Sequence, residues 1–225
     1  MKKTISKEIV FIFALIIDAI AIDILTFASL GISTMTSLAY VISQIVDGLT
    51  LGTTNTIVQT FLLVLLMLLT KRFNPNYVLS FVVGAIFGIL IDLFDPIIYL
   101  LPNPNIITQV IYFVIGWLLM SFAVALFVIS DMPAMPFDAF TKDFTAFEHS
   151  NFKKIKTGVD LVFVIISVAL SLIFLHKIVG IGVGTLIMAL FTGEIEGKIL
   201  DYIKQKYDFK TFTPIGKKLE SYKVA

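Results

Sequence analysis

The 225-residue sequence contains no cysteine, only two histidines and few charged residues. Without cysteine there is no disulfide, no thiolate metal site and no cysteine nucleophile. His149 and His176 are too few for most metal sites, and no HExxH motif is present. Charged residues make up 15% of the chain, against about 25% in an ordinary soluble domain. We therefore expect no metal, no cofactor, no nucleic-acid partner and no ordinary soluble fold.

The sequence is instead rich in long apolar runs, and 58% of its residues are hydrophobic. A helix that crosses a membrane takes about 20 apolar residues, and continuous runs of this kind fit helices rather than barrel strands. The third run is expected to end at Asp95-Pro96, because proline lacks the N–H that continues a helix. The pattern predicts an all-α protein of the lipid bilayer with six transmembrane helices. They correspond to residues 10–30, 53–70, 77–94, 106–130, 157–175 and 178–197.

The lysines and arginines fall almost entirely on alternate connecting segments. The N-terminus, residues 71–76, residues 131–156 and the C-terminus carry 16 of the 17, and Lys177 stands alone on the other side. In membrane proteins the cytoplasmic loops carry the excess of basic residues. The distribution predicts a multi-pass protein of the cell membrane with both termini in the cytoplasm. It also supports an even number of crossings, because an odd number would break the alternation.

The two ends of the chain are expected to be cytoplasmic segments, a short N-terminus (1–8) and a basic amphipathic tail (201–225). In the tail, Tyr207 continues the helical stripe of Ile199 and Ile203, with Lys210 nearby. Such a stripe is typical of a helix that lies on an anionic membrane surface. We therefore expect the tail to extend the last helix along the inner leaflet.

Two segments are alike at an offset of 100 residues, residues 30–40 after the first helix and residues 130–140 after the fourth. Each is turn-rich, and each half of the chain ends with a glycine-rich helix that carries acids. We infer two three-helix repeats, 9–101 and 102–200. Because three crossings are an odd number, the second repeat is inverted, as in many secondary transporters. Residues 31–40 and 131–140 are then expected to be short re-entrant or interfacial segments on opposite membrane faces.

The second of these turns and the last helix resemble a known family. Residues 132–139 read Met-Pro-Ala-Met-Pro-Phe-Asp-Ala, and residues 180–185 read Gly-Ile-Gly-Val-Gly-Thr. Together they resemble the YczE/YitT-like integral membrane proteins of bacteria. The resemblance implies a membrane location and a suspected transport role, with no settled substrate. The first half departs from the pattern, with Ser33, Thr36 and Leu38 in place of the prolines and the aspartate.

Asp18 and Asp23 are the strongest individual signals, since both lie near the middle of the first helix. A charge at that depth costs at least about 2.5–3.5 kcal/mol. The two residues are about 140° apart around a helix, so they need not share one cavity. We predict that they bind a cation or a proton. The alternative is a pair of protonated or hydrogen-bonded acids that help the helices to pack.

Four more polar residues are candidates for substrate or ion binding: Asn55, Gln59, Asp138 and Asp160. Asn55 and Gln59 share a helix face, because they are four residues apart. Each candidate has a structural alternative. The amides suit interhelical hydrogen bonds, which contribute about 0.6 kcal/mol each. Asp160 suits an ion pair with Lys156, and Asp138 suits a turn cap.

Gly180, Gly182 and Gly184 begin the last predicted helix. They either let the helix unwind and expose its backbone to a ligand, or let neighbouring helices approach closely. Close packing is the favoured interpretation. The nearby acids Glu194 and Glu196 are expected to reach water at the cytoplasmic end.

These features favour a small secondary transporter with a midplane site between inverted repeats, coupled to protons or another cation. The unidentified substrate is a small solute or ion. One alternative is a substrate-binding membrane subunit of a larger transporter, and another is a non-transporting regulator or sensor. We do not expect an enzyme, because no serine–histidine pair or metal cluster is apparent. The small-residue faces are compatible with a homodimer.

Overall fold

The computed structural model describes residues 3–214 and 216–217. Within these residues the regular structure is helical, apart from two four-residue strands. The elements are β1 (Lys3–Ser6), α1 (Lys7–Ala28), α2 (Thr34–Ile45), α3 (Leu51–Thr70), α4 (Asn76–Ile98), α5 (Ile106–Ser130), α6 (Pro136–Phe147), α7 (Phe152–Leu175), α8 (Val183–Lys206) and β2 (Tyr207–Lys210).

Five of these helices are long and apolar enough to cross a membrane, namely α1, α3, α4, α5 and α7. The chain is therefore a membrane protein, and these five correspond to the first five predicted crossings. The last predicted run differs from the structure. Residues 178–182 form a turn, and α8 begins only at Val183. This start leaves Ile178 and Ile181 outside the helix, while charged residues from Glu194 onward lie inside it, so α8 is not among the five.

The prediction that Pro96 ends the third crossing is wrong, because α4 continues through it to Ile98. Proline removes one backbone hydrogen bond and crowds the preceding turn. Only the last turn of α4 bears that cost, and the N–H of Tyr99 still donates to the carbonyl of Asp95 at 3.1 Å. The helix therefore ends one turn later than the proline alone suggests.

Helix α1 lies at the centre of the bundle, where it packs against α5 and α4. The contact with α5 is close because a small residue faces it: a Cβ at Gly116 would lie 2.9 Å from the side chain of Leu25. Around this centre, α3 packs on α4, α2 and α6, while α7 packs on α2 and α6, and α8 packs on α5. The sequence neighbours α3 and α4 therefore pack together, whereas α7 and α8 each pack mainly on other helices.

Helices α3 and α4 cross at two glycines, Gly52 and Gly88. A Cβ on Gly52 would collide with the carbonyl oxygen of Gly88, and a Cβ on Gly88 would collide with Thr56. The start of α3 is fixed at the same crossing by Asp92, whose carboxylate accepts from the Gly52 N–H at 2.8 Å and the Thr50 hydroxyl at 2.6 Å.

We expect Gly88→Ala to destabilise the protein by about 1–3 kcal/mol, the usual cost of overpacking a core. The matched controls are Gly158→Ala and Gly193→Ala, because a Cβ at either position meets nothing within 4 Å. Both controls should keep the stability or raise it by up to about 1 kcal/mol through helix propensity. Thermal unfolding in detergent measures the difference. Equal melting temperatures for all three variants would contradict the close crossing.

The two ends of the described chain lie together. β1 and β2 form a parallel pair in which Lys3 is opposite Tyr207. The carboxylate of Glu8 adds to this contact by accepting from the N–H groups of Phe212 and Thr213 at 3.0 and 2.8 Å. The predicted tail helix is thus correct as far as Lys206 but not for Tyr207 and Lys210, which belong to β2. Backbone pairing with β1 replaces the helical stripe there. Residues 218–225 of the predicted tail lie outside the described residues.

The first turn of α8 is attached to the far end of α1. The N–H of Gly184 donates to the carbonyl of Leu30 at 2.9 Å, and the Thr185 hydroxyl donates to the carbonyl of Ile32 at 2.9 Å. Since β1 and β2 join the other ends of the same two helices, α8 runs the full length of α1 in the opposite direction.

Candidate functional site

Asp18 lies near the middle of α1 and is buried, with 8% of its surface exposed. Its Oδ1 atom has no hydrogen-bond partner among the described residues. Asp138 of α6 and Glu196 of α8 act on it electrostatically, and Asp138 in turn faces Lys156 and Asp160 of α7. These five residues, here called the Asp18 group, come from four helices.

The members of the Asp18 group differ in how far they are buried. Asp138 is exposed although Phe137 and Ala139 beside it are buried, and Asp160 and Glu196 are half-buried. The surrounding protein still removes much of the water near Asp138. This desolvation raises the pKa of the Asp138 carboxyl above its usual value, while Lys156 lowers it and Asp160 raises it further. Three carboxyls of the group therefore lie at or near the protein surface, and the fourth, Asp18, is buried behind them.

The first turn of α6 is wedged between α3 and α4. A Cβ added at Gly84 would lie 2.9 Å from the Pro136 ring and 3.3 Å from the Gln59 Oε1 atom. Gln59 Oε1 and Asn55 Nδ2 are both buried and have no hydrogen-bond partner among the described residues. Both predicted amides therefore lie inside the bundle on α3 with polar atoms that remain available to a ligand, and Gln59 lies beside the start of α6.

Helix α2 is anchored to α7 by two side-chain contacts. The hydroxyl of Thr34, the first residue of α2, donates to Asp160 Oδ1 at 2.7 Å, and the Ser37 and Ser167 hydroxyls lie 3.1 Å apart. Asp160 is thereby held at the N-terminus of α2. Asp138 lies in the first turn of α6. A helix N-terminus favours negative charge, so each of these two carboxyls lies beside a favourable helix end.

Asp23 does not join the Asp18 group. It is 1% exposed, and the charges of Asp92 and Asp95 on α4 act on it. Because Asp18 and Asp23 are about 140° apart around α1, the two aspartates face different partners. Asp23, Asp92 and Asp95 are here called the Asp23 group.

The three glycines before and within α8 lie where other parts of the chain approach closely. Gly180 has a left-handed φ of +71° and packs on the ring of Tyr40. Gly182 and Gly184 lie against the carbonyl of Leu30, and Gly184 also contacts Phe113. Each glycine thus provides room for the segment that joins α1 to α2.

Sequence reasoning missed the importance of Glu196, Lys156, Asp92 and Asp95. Glu196 had been expected to reach water, but it faces Asp138 and Lys156. One signal was available for α4, because Asp92 and Asp95 are three residues apart and so share a helix face. No equivalent spacing identifies Glu196, whose partners lie on other helices.

Neither group has the geometry of a metal centre: among the described residues, no three Asp, Glu or His side chains lie close enough to hold a metal ion. A cavity of about 620 Å³ lies elsewhere. It is an apolar groove between the strand pair, α1, α5 and α8, lined by residues such as Val10, Leu126 and Ile203. Its lining is suited to apolar chains and offers little to a polar solute.

Residues 5–200 match the model of a protein family whose description is a family of unknown function (DUF6198). No curated protein matches the chain, and no solved structure matches it. The matched range includes both the Asp18 group and the Asp23 group.

Proposed function

The chain belongs to the DUF6198 family, and we propose that it is a small secondary transporter that carries a cation by way of the Asp18 group. The observation that carries the proposal is the composition of this group. Four carboxyls and one lysine converge there from α1, α6, α7 and α8. A site with this excess of negative charge, formed inside a membrane bundle, suits a positively charged solute. The resemblance to YczE/YitT-like proteins agrees with transport and stays a prediction.

We further propose six crossings, with α8 as the sixth and both termini in the cytoplasm. The paired strands support this count, because residues 3–6 and 207–210 lie on the same side of the bundle. Only an even number of crossings returns the chain to its starting side. The length of α8 also fits, since its two ends are joined to segments at the two ends of α1. The basic residues then assign that shared side to the cytoplasm.

The proposed repeat pairs α1–α4 with α5–α8. Helices α2 and α6 are both twelve residues long. Helices α1 and α5 both end at a left-handed residue, Ser29 and Asp131, and so do α3 and α7, at Lys71 and His176. The helix ends support an offset of 102 residues for the turns, two more than the sequence comparison. Packing also corresponds: α1 on α4 resembles α5 on α8, and α2 on α7 resembles α6 on α3.

We also propose that both short helices are re-entrant segments, and their contacts support this. Helix α6 has Pro136 beside Gly84, well inside α4, whereas its later residue Asp143 accepts from Tyr77 at the start of α4. For α2, Thr34 bonds Asp160, the ninth residue of α7, whereas Ile32 bonds the turn beyond the end of α7. Each segment thus descends to an N-terminus inside the bundle and returns through its helix, as in transporters with discontinuous helices.

The two halves differ in how their last two helices pack, and the difference supports alternating access. Helices α3 and α4 are closed on each other at Gly52 and Gly88. Their counterparts α7 and α8 pack on separate helices, and Asp138 is exposed beside them. The present conformation thus resembles a state open to one side, and exchange of the two arrangements would open the other side.

Transport is testable with the purified full-length chain in proteoliposomes. The probes are Na⁺, K⁺, and small primary and quaternary ammonium ions, offered singly to liposomes that contain or lack the protein. We expect saturable uptake of at least one cation, together with competition from related cations. If none of these cations showed saturable, protein-dependent uptake, the proposal of cation transport would be contradicted. Stoichiometric co-purification of an ATPase would favour the alternative of a subunit in a larger transporter.

A further inference from the structure

Asp23 is more deeply buried than Asp18, with 1% of its surface exposed. Neither of its carboxyl oxygens has a hydrogen-bond partner among the described residues. A carboxylate in such a place is strongly unfavourable unless a cation neutralises it. The first question is therefore which cation the surroundings of Asp23 can supply.

Among the described residues, the charged groups that act on Asp23 are acidic. They are Asp95 and Asp92 of α4, and Tyr99 at the end of the same helix also responds to Asp23. Helix α5, the other helix packed along α1, contains no charged residue in Ile106–Ser130. Neither helix therefore supplies a lysine or arginine partner, so a cation that neutralises Asp23 has to reach it from beyond these two helices.

A metal ion fits this place poorly. Asp92 is already engaged at the start of α3, where it accepts from Gly52 and Thr50. No group of three acids or histidines within the described residues is close enough to hold a metal. A proton needs none of these ligands, because it bonds covalently to one carboxyl oxygen. The geometry therefore favours protonation.

We propose that Asp23 is a proton-binding site, separate from the Asp18 group, that exchanges its proton with solvent through Asp95 at the outer end of α4. In loading, hydronium gives a proton to the Asp95 carboxylate and becomes water. Asp95 then passes a proton to Asp23, so one O–H bond breaks and one forms at each step. Asp95 is half-buried, and so provides a link between solvent and the buried acid. This proposal deepens the proposed function, on which its coupling role rests, by naming the proton as the coupling ion.

Infrared difference spectroscopy of the full-length chain in nanodiscs of neutral lipid tests the site directly. We expect a carbonyl band of a protonated carboxylic acid that shifts in deuterium oxide, disappears in Asp23→Asn and persists in Asp18→Asn. Asp95→Asn should keep the band but slow its exchange with deuterium. The matched control Glu194→Gln removes an exposed acid that pairs with Lys198, and should change neither the band nor its exchange.

Three results would overturn the proposal. They are absence of the band in the wild type at every pH at which the protein is folded, persistence of the same band in Asp23→Asn, and loss of the band on addition of Na⁺. If Asp23→Asn does not fold, the exchange rate in Asp95→Asn still decides the route, and an unchanged rate rejects it. These spectra require no substrate, so they are independent of whether the protein transports a cation.

Coupling is tested in the proteoliposomes by an imposed proton gradient. The gradient should drive accumulation of the transported cation by the wild type. Asp23→Asn should retain exchange of the cation but lose the response to the gradient. An undiminished response would reject the coupling role, whereas absence of all flux in the wild type would reject the proposed function and leave the spectroscopic result standing.

Discussion

Asp18→Asn is expected to lower cation flux in proteoliposomes by about tenfold or more, the effect of losing a charged contact in a buried site. Asp18 is the only member of the Asp18 group that lies on the central helix α1, and it is the most buried of the five residues. A carboxamide keeps the size of the side chain but removes its negative charge. The variant should remain folded, because Oδ1 has no hydrogen-bond donor to lose.

The matched control is Glu194→Gln on α8. Glu194 lies two residues before Glu196, but it points outward and pairs with Lys198 at 2.6 Å. Glu194→Gln removes one negative charge from the same turn of α8 that carries Glu196, but it leaves the Asp18 group intact. Wild-type flux is therefore expected for Glu194→Gln and reduced flux for Glu196→Gln. Equal flux in the wild type and in Asp18→Asn would reject the Asp18 group as the transport site.

A covalent link across α3 and α4 is expected to stop transport reversibly. The Thr50 hydroxyl lies 2.6 Å from an Asp92 oxygen, so cysteines at these two positions come within reach of a disulfide or of a short thiol cross-linker. The chain has no cysteine of its own, so the pair Thr50→Cys/Asp92→Cys needs no background substitutions. If the cycle must separate α3 from α4, oxidation should lower flux about tenfold or more relative to the reduced pair.

The reduced double variant is the internal control, because it carries the same substitutions without the link. Reduction of the oxidised sample should restore its flux. A second control places cysteines at Ser37 and Ser167, whose hydroxyls are 3.1 Å apart. This link joins α2 to α7 without touching the α3–α4 crossing. Unchanged flux in oxidised Thr50→Cys/Asp92→Cys would mean that α3 and α4 stay together throughout transport.

Much of the architecture could be predicted from the sequence because a bilayer imposes simple rules on it. The length of apolar runs identified five crossings, and the run at 106–130 coincides with α5. Those rules weaken where the backbone is irregular. The last run was assigned from Ile178 because hydropathy does not distinguish an apolar turn from a helix. Pro96 was assigned as a helix stop because proline usually ends a helix. Whether the last turn of a particular helix tolerates a proline depends on how that helix ends, which the sequence does not show.

The candidate residues could be chosen from the sequence, but their arrangement could not. Acids within or beside apolar runs are conspicuous, so Asp18, Asp23, Asp138 and Asp160 were selected. Their division into two groups depends on which helices pack around α1, and a single sequence carries little information about that packing. Glu196 shows the limit most clearly. Its position near the end of a weakly apolar helix suggested exposure to water, and only the arrangement of α6 and α8 brings it toward Asp138.

The attachment of α8 to both ends of α1 determines which parts of the molecule are able to move. One end is held by the β1–β2 pair, and the other is held by the hydrogen bonds that Gly184 and Thr185 donate. With α5 packed on both, α1 and α8 form a frame that is fastened at both ends. Among the described residues, α7 packs mainly on α2 and α6, which are not part of that frame. In the proposed cycle we therefore expect α7 to be one of the helices that move, carrying Asp160 and Lys156 toward or away from a stationary Asp18.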